Sequence, residues 1–152
     1  MAYIGIAAAI FIIDGLIKWY IEKNKKPGEI SPKCKGIIWI RKYHNRGAFL
    51  NLLEHHHGVV KYISVLLCIL ATAIFAVTLG QKGNGMLKTG LALLLGGSYS
   101  NTYDRIRRNY VVDYFSIHIE NRLFKGLSKV VFNISDFCIA IGAMISVWKT
   151  MG

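Results

Sequence analysis

The chain contains four aspartates, each placed where a carboxylate needs a reason. Asp14 interrupts the first apolar run and Asp136 the last, while Asp104 and Asp113 lie just beyond the third. A charged side chain at membrane depth costs on the order of 2.5–3.5 kcal/mol on insertion scales, so it persists where it pairs or works. Asn101 and Asp104 are three apart, as are Asn133 and Asp136, which puts each pair on one helical face. Two carboxylates close together in a low-dielectric site cannot both ionise easily, so they share a proton. Such a pair can activate water for attack on an amide while protonating the carbonyl oxygen. It titrates as a unit, and spacing alone gives its members no separate roles.

A structural role competes with the chemical one. Asp14 lies four residues before Lys18 and Asp104 sits beside Arg105, so local ion pairs would account for both. Asp113, between Val111-Val112 and Tyr114-Phe115, has no adjacent cation, and neither has Asp136. Proton or ion transport through intramembrane carboxylates stays open beside hydrolysis. The His55-His56-His57 tract is a poor metal site, because adjacent histidines point in different directions. Cys34, Cys68 and Cys138 form no Cys-x-x-Cys pair, so neither a zinc site nor a disulfide framework is expected.

The elements that must hold these residues are apolar. Hydrophobic residues make up 53% of the 152-residue chain and charged residues 18%, below the roughly 25% usual in soluble domains. Runs at 2–20, 58–79, 86–103 and 130–148 predict four transmembrane helices in a single membrane domain. Nineteen helical residues reach about 28 Å, enough for the hydrocarbon core. The first run has no basic segment before it and no small-residue cleavage site after it, so it reads as an uncleaved membrane helix. Trp19 and Tyr20 suit an interfacial belt, and Gly96-Gly97-Ser98 permits close helix approach.

Four spans place both termini on one side and the connections 21–57 and 104–129 on the other, gathering Asp104, Asp113 and the start of the fourth helix at one face. Within the first connection, Ile37 to Tyr43 reads as a strand, Asn45-Arg46-Gly47 as a turn, and Phe49 to His57 as a short surface helix. The net charge of +11 would suggest nucleic acid in a soluble protein. Here the basic residues lie between apolar runs, which favours anionic lipid headgroups and no nucleic acid. Of the 19 Lys and Arg, only Lys82, Lys88 and Lys149 fall on the side of the termini, so the positive-inside rule puts the aspartate-bearing face in the cytoplasm.

Five boxes in order resemble the lipoprotein signal peptidases, the type II signal peptidases of bacteria, over nearly the whole chain. Asp14-x-x-x-Lys18 looks like the first, and Asn45-Arg46-Gly47-Ala48-Phe49 resembles Asn-x-Gly-Ala-Ala-Phe. Gly96-Gly97-Ser98-Tyr99-Ser100-Asn101-Thr102-Tyr103-Asp104-Arg105 is similar to Gly-Gly-x-x-Gly-Asn-x-x-Asp-Arg. Val111-Val112-Asp113-Tyr114 resembles Val-Val-Asp-Phe, and Phe132-Asn133-Ile134-Ser135-Asp136 resembles Phe-Asn-x-Ala-Asp.

The resemblance implies an all-α, four-helix membrane aspartyl endopeptidase with a small extracytoplasmic β-cradle and a short surface helix. Its implied place is the bacterial cytoplasmic membrane, active site outside, against the charge rule. It implies substrates that are prolipoproteins carrying diacylglyceryl-cysteine, cut just before that cysteine, with no metal or organic cofactor. Globomycin-type cyclic peptides would block the site, and a monomer is expected. By motif match Asp113 and Asp136 would be the catalytic dyad. Asn101, Arg105 and Asn133 would position substrate and dyad, and Asn45 with Gly47 would reach in from the cradle. Asp104 would hold Arg105 or the local fold, and Asp14 with Lys18 would support the site.

The chain departs from the family pattern at Ser100 and Asn109, each in place of Gly, at Ser135 in place of Ala and at Tyr114 in place of Phe. The Asn-x-Gly box is one residue short and runs into Leu50-Asn51-Leu52. These departures point to a divergent member. They also motivate two rivals, a paralogue that binds lipidated peptides without cutting them and a peptidase with altered substrate preference.

Overall fold

The computed structural model describes residues 1–47, 57–118 and 130–151. Four helices, α1 (Ala2–Asn24), α2 (His57–Gly80), α3 (Gly85–Arg108) and α4 (Ile134–Met151), carry a small sheet at one end. The sheet comprises β1 (Ile30–Lys33), β2 (Ile38–Asn45) and β3 (Val111–Ile117), antiparallel in the order β1-β2-β3, with a 3-10 turn, Cys34–Gly36, joining the first two.

Three helices are long and apolar enough to cross a membrane: Ala2–Asn24, Gly58–Gly80 and Ile134–Met151. Their outward side chains, among them Leu16, Leu66, Leu70, Val77 and Met144, are large, apolar and exposed. A continuous apolar exterior of that kind suits lipid rather than water. α3 is different. It packs against α1, α2 and α4, and its polar Ser100, Asn101, Thr102 and Asp104 are buried. Its lower apolar content follows from that central place, since its partners shield it.

Close approach to α3 is set by glycine. A Cβ on Gly96 would lie 2.7 Å from the Ala7 carbonyl oxygen of α1, and one on Gly97 would lie 2.5 Å from the Ser135 carbonyl oxygen of α4. Gly90 and Gly142 meet in the same way farther along. The small-residue stretch expected to allow close packing therefore faces two different helices.

The sheet extends the strand expected at Ile37 to Tyr43 through Asn45, and pairs it with a segment not read as a strand. Asn45 lies opposite Val111 and Tyr43 opposite Asp113, after a register irregularity between Ile40 and Tyr43. α3 runs five residues past the expected end at 103 and stops at Asn109, whose φ of +62° is left-handed. Asn tolerates that conformation better than most residues. α4 starts at Ile134 rather than 130, because Phe132 is held in an antiparallel bridge to Phe115. Of the surface helix expected at 49–57, only His57 is described, and it begins α2. Ala48, Phe49, Leu50-Asn51-Leu52 and His55-His56 lie outside the described residues.

Candidate active site

Asp136 owes its position to the way α4 begins. Asn133 is not on the helix face with Asp136, as the three-residue spacing had suggested, but precedes the first turn as its cap. Asn133 Oδ1 accepts a hydrogen bond from Asp136 N at 3.0 Å, and Asp136 Oδ2 accepts one from Asn133 N at 3.0 Å. This reciprocal arrangement is a capping box, which satisfies donors that a helix start otherwise leaves without partners. The side-chain nitrogen of Asn133 remains free to act elsewhere, and it donates to Asp113 Oδ1 at 2.6 Å and to Asn101 Oδ1 at 3.2 Å.

Asp113 is delivered by β3 and is almost fully buried. Its second oxygen, Oδ2, accepts a hydrogen bond from Asn45 Nδ2 on β2 at 3.0 Å. Asp136 Oδ1 accepts one from Asn101 Nδ2 on α3 at 2.9 Å. The two carboxylates are thus held by amide nitrogens, while the ion pairs lie elsewhere, at Asp14 and Asp104. Burial first, then the neighbouring negative charge of Asp136, push the Asp113 carboxyl up to about 7. Near neutrality the pair therefore holds a proton that two separate carboxylates in water would have lost.

Asn101 is oriented from behind. Its Oδ1 accepts hydrogen bonds from Lys18 Nζ at 2.7 Å and from Asn133. An ammonium can only donate, so Lys18 fixes which end of the amide faces it and turns Nδ2 toward Asp136. Lys18 is itself buried, 2.7 Å from Asp14 Oδ2 and 3.4 Å from Asp104 Oδ2. The expected pairing of Asp14 with Lys18 is present, and it reaches across to α3.

Asp104, expected to hold Arg105 or the local fold, does the second. Its partners are Lys18, Arg108 at 3.6 Å and the backbone nitrogen of Val112 at 3.2 Å, not Arg105. Consecutive helical residues point about 100° apart, whereas residues four apart share a face. Arg105 turns instead toward Gly47, whose carbonyl oxygen accepts from Nη2 at 3.3 Å. Arg105 Nε is buried and has no hydrogen-bond partner among the described residues.

These groups border a cavity of about 540 Å³. Its polar end holds Asn45, Asn101, Arg105, Asp113 and Asp136, and its remaining walls include Leu67 and Cys68 of α2, Val131, and Ile139 of α4. Cys68 borders this cavity as well and contacts Thr102 Oγ1 at 3.1 Å. α2 and α4 both pack on α3, and the cavity lies between them. Among the described residues, no group of three or more His, Cys, Asp or Glu could hold a metal ion.

Sequence comparison agrees with this architecture. A model of the family described as signal peptidase (SPase) II matches residues 6–151. The chain is 30% identical over 145 residues to a lipoprotein signal peptidase of Geobacillus kaustophilus (strain HTA426), covering 95% of this chain and 90% of that one. Two solved bacterial membrane enzymes share the fold. One, at 2.3 Å resolution, has a TM-score of 0.83 and 24% identity, covering 99% of this chain and 87% of its own. The other, at 1.9 Å, has a TM-score of 0.79 and 23% identity, covering 98% and 92%. The chain belongs to the signal peptidase II family and is a peptidase of the membrane.

Proposed function

We propose that this chain is an aspartyl endopeptidase that removes signal peptides from diacylglyceryl-modified prolipoproteins, cutting just before the lipidated cysteine. The observation that carries this reading is the placing of two carboxylates, the buried Asp113 and the half-buried Asp136, on one cavity, each held by amide donors. One carboxylate takes a proton from water as the water attacks the scissile carbonyl carbon. The other delivers the shared proton to the carbonyl oxygen, giving a neutral tetrahedral intermediate. Collapse returns a proton to the leaving amine of the cysteine and regenerates the pair. Concerted acid and base assistance of this type contributes about 10²–10⁴-fold in rate.

The mixed polar and apolar lining of the cavity supports this substrate class. A peptide amide would meet the carboxylates and Arg105, whose guanidinium borders the same cavity and can donate to a substrate carbonyl. Two acyl chains would leave along the apolar walls between α2 and α4. In this reading α3 is a fourth span, sheltered by the other three. The sheet and site face the outside of the bacterial cytoplasmic membrane, and its basic residues meet anionic headgroups. The chain acts as a monomer, and globomycin-type peptides occupy the polar end.

The test uses purified protein in lipid with a diacylglyceryl-modified prolipoprotein, followed by gel shift. Cleavage before the lipidated cysteine is expected. Asp113→Asn and Asp136→Asn should each lose about 10³-fold or more, in line with the cost of removing an acid or base. Product from either variant at the wild-type rate would exclude the dyad. Tight binding of the substrate without product from the wild type would favour the non-catalytic paralogue.

A further inference from the structure

Three departures from the family pattern, far apart in sequence, meet on one carboxylate. Ser100 Oγ donates to Asp14 Oδ2 at 2.6 Å, Ser135 Oγ donates to the same oxygen at 2.6 Å, and Tyr114 Oη donates to Asp14 Oδ1 at 2.8 Å. Lys18 completes the set at 2.7 Å. All three hydroxyl residues are buried, as is Asp14. Burial and the Asp14 charge push the Tyr114 phenol above its ordinary value, so it stays a donor.

The sequence neighbours of these hydroxyls are informative. Ser100 precedes Asn101, Tyr114 follows Asp113, and Ser135 precedes Asp136. Both residues of the proposed dyad, and Asn101, which holds Asp136, therefore have a chain neighbour tied to Asp14. Tyr114 adds a second link, because Oη also accepts from Ile134 N at 3.0 Å, at the start of the helix that carries Asp136. Ser100 likewise accepts from Lys18 Nζ at 3.0 Å.

We infer that Ser100, Tyr114 and Ser135 are positioning residues, a three-point hydroxyl clamp through which Asp14 holds α3, β3 and α4 in the register that sets Asp113 against Asp136. None of the three touches the reacting atoms. Each bond fixes one backbone segment relative to α1, and together they leave the two carboxylates little freedom to separate. Where the family pattern has Gly, Phe and Ala, no side-chain hydroxyl is available at these points. This inference rests on the dyad reading above.

The test compares Ser100→Ala, Tyr114→Phe, Ser135→Ala and the double variant Tyr114→Phe/Ser135→Ala with the wild type, in lipid, on the same lipidated prolipoprotein. Each single variant should lower kcat about three- to tenfold with KM within about twofold, and the double variant more, since small misplacements of reacting groups cost rate steeply. The pH at which activity falls should also move, because the spacing of the two carboxylates sets how they share a proton. A purely structural role would lower the melting temperature and leave kcat, KM and the pH profile of the folded protein unchanged. That result would overturn the clamp. Should the double variant not fold, Ser100→Ala, the smallest change, is judged by the same measures. Asp113→Asn and Asp136→Asn run beside them. Their full activity would remove the dyad itself, whereas their inactivity beside wild-type kinetics in the hydroxyl variants would remove only the clamp.

Discussion

Asp113 is an acid whose surroundings disfavour its charge and whose hydrogen bonds favour it. Its value of about 7 lies above the ordinary 3.8, with burial the larger cause and Asp136 the next. The folded protein therefore binds this proton more tightly than the unfolded chain. That contribution to stability is fully present below pH 3.8 and is lost as pH rises through about 7. On the proposed chemistry one proton must sit on the pair, so kcat/KM should fall as pH rises above about 7, about tenfold per unit well beyond it. Asn45 Nδ2 donates to the charged form and lowers the value. Asn45→Ala should shift the alkaline limb upward by about one pH unit, given 1.5–3 kcal/mol for a hydrogen bond to a charged group. An unmoved limb in a pH–rate profile would separate Asn45 from the proton. At this scale much was legible in the sequence: Asp113, Asp136, Asn45, Asn101, Arg105 and Asn133 all border or bond into one site. The reach of Lys18 to Asn101 was not, because 83 residues separate them and only the α1–α3 packing brings them together. Adjacency left the partner of Asp104 open between Arg105 and the local fold, and the four-residue helical period gives it Arg108.

Among the elements, α3 and α4 are joined most closely where the site is built. Gly97 faces the Ser135 carbonyl oxygen, one residue from Asp136 and next to the capping box. A methyl there would meet backbone at 2.5 Å, so one helix has to move. Gly97→Ala should destabilise the fold by about 1–3 kcal/mol, as overpacking usually does. It should also lower activity further than Gly5→Ala on α1, which meets nothing within 4 Å. Thermal unfolding in lipid, with activity measured on the surviving fold, checks both; equal behaviour of the two variants would mean that the helices adapt without cost. Apolar runs gave the helices, but their ends followed other forces. α3 outlasts its apolar stretch as Asp104, buried and paired with Lys18 and Arg108, is carried in its last turns, and it stops at a left-handed Asn109. α4 begins late because Phe132 is held by β3 backbone and Asn133 is a cap. β3 was hidden because its seven residues form a strand through pairing with β2, a contact that local sequence does not display.

For the whole molecule, charge and family resemblance disagree about which face lies outside. The basic residues that create the conflict sit on or beside the sheet, among them Lys25, Lys42 and Arg108. Some are engaged by acidic partners: Lys25 with Glu29, Lys42 and His44 with Glu22, Arg108 with Asp104. Cys34, exposed at the turn between β1 and β2, offers a natural reporter, since Cys68 is buried and Cys138 lies on α4. In whole cells a membrane-impermeant maleimide should modify Cys34 without permeabilisation. Labelling only after the membrane is breached would place the sheet in the cytoplasm and give the charge rule precedence. The capping box at the start of α4 also bears on how the protein comes into being. Asn133 and Asp136 lie at the start of α4, which leaves the ribosome after α1, α2 and α3, and their bond geometry exists only once that helix has started and docked. Before that, with α1, α2 and α3 already made, Asp113 has neither its carboxylate partner nor the Asn133 amide that holds it. On the proposed chemistry the nascent chain is therefore catalytically silent until α4 has emerged and docked, and that docking is the event that switches hydrolysis on.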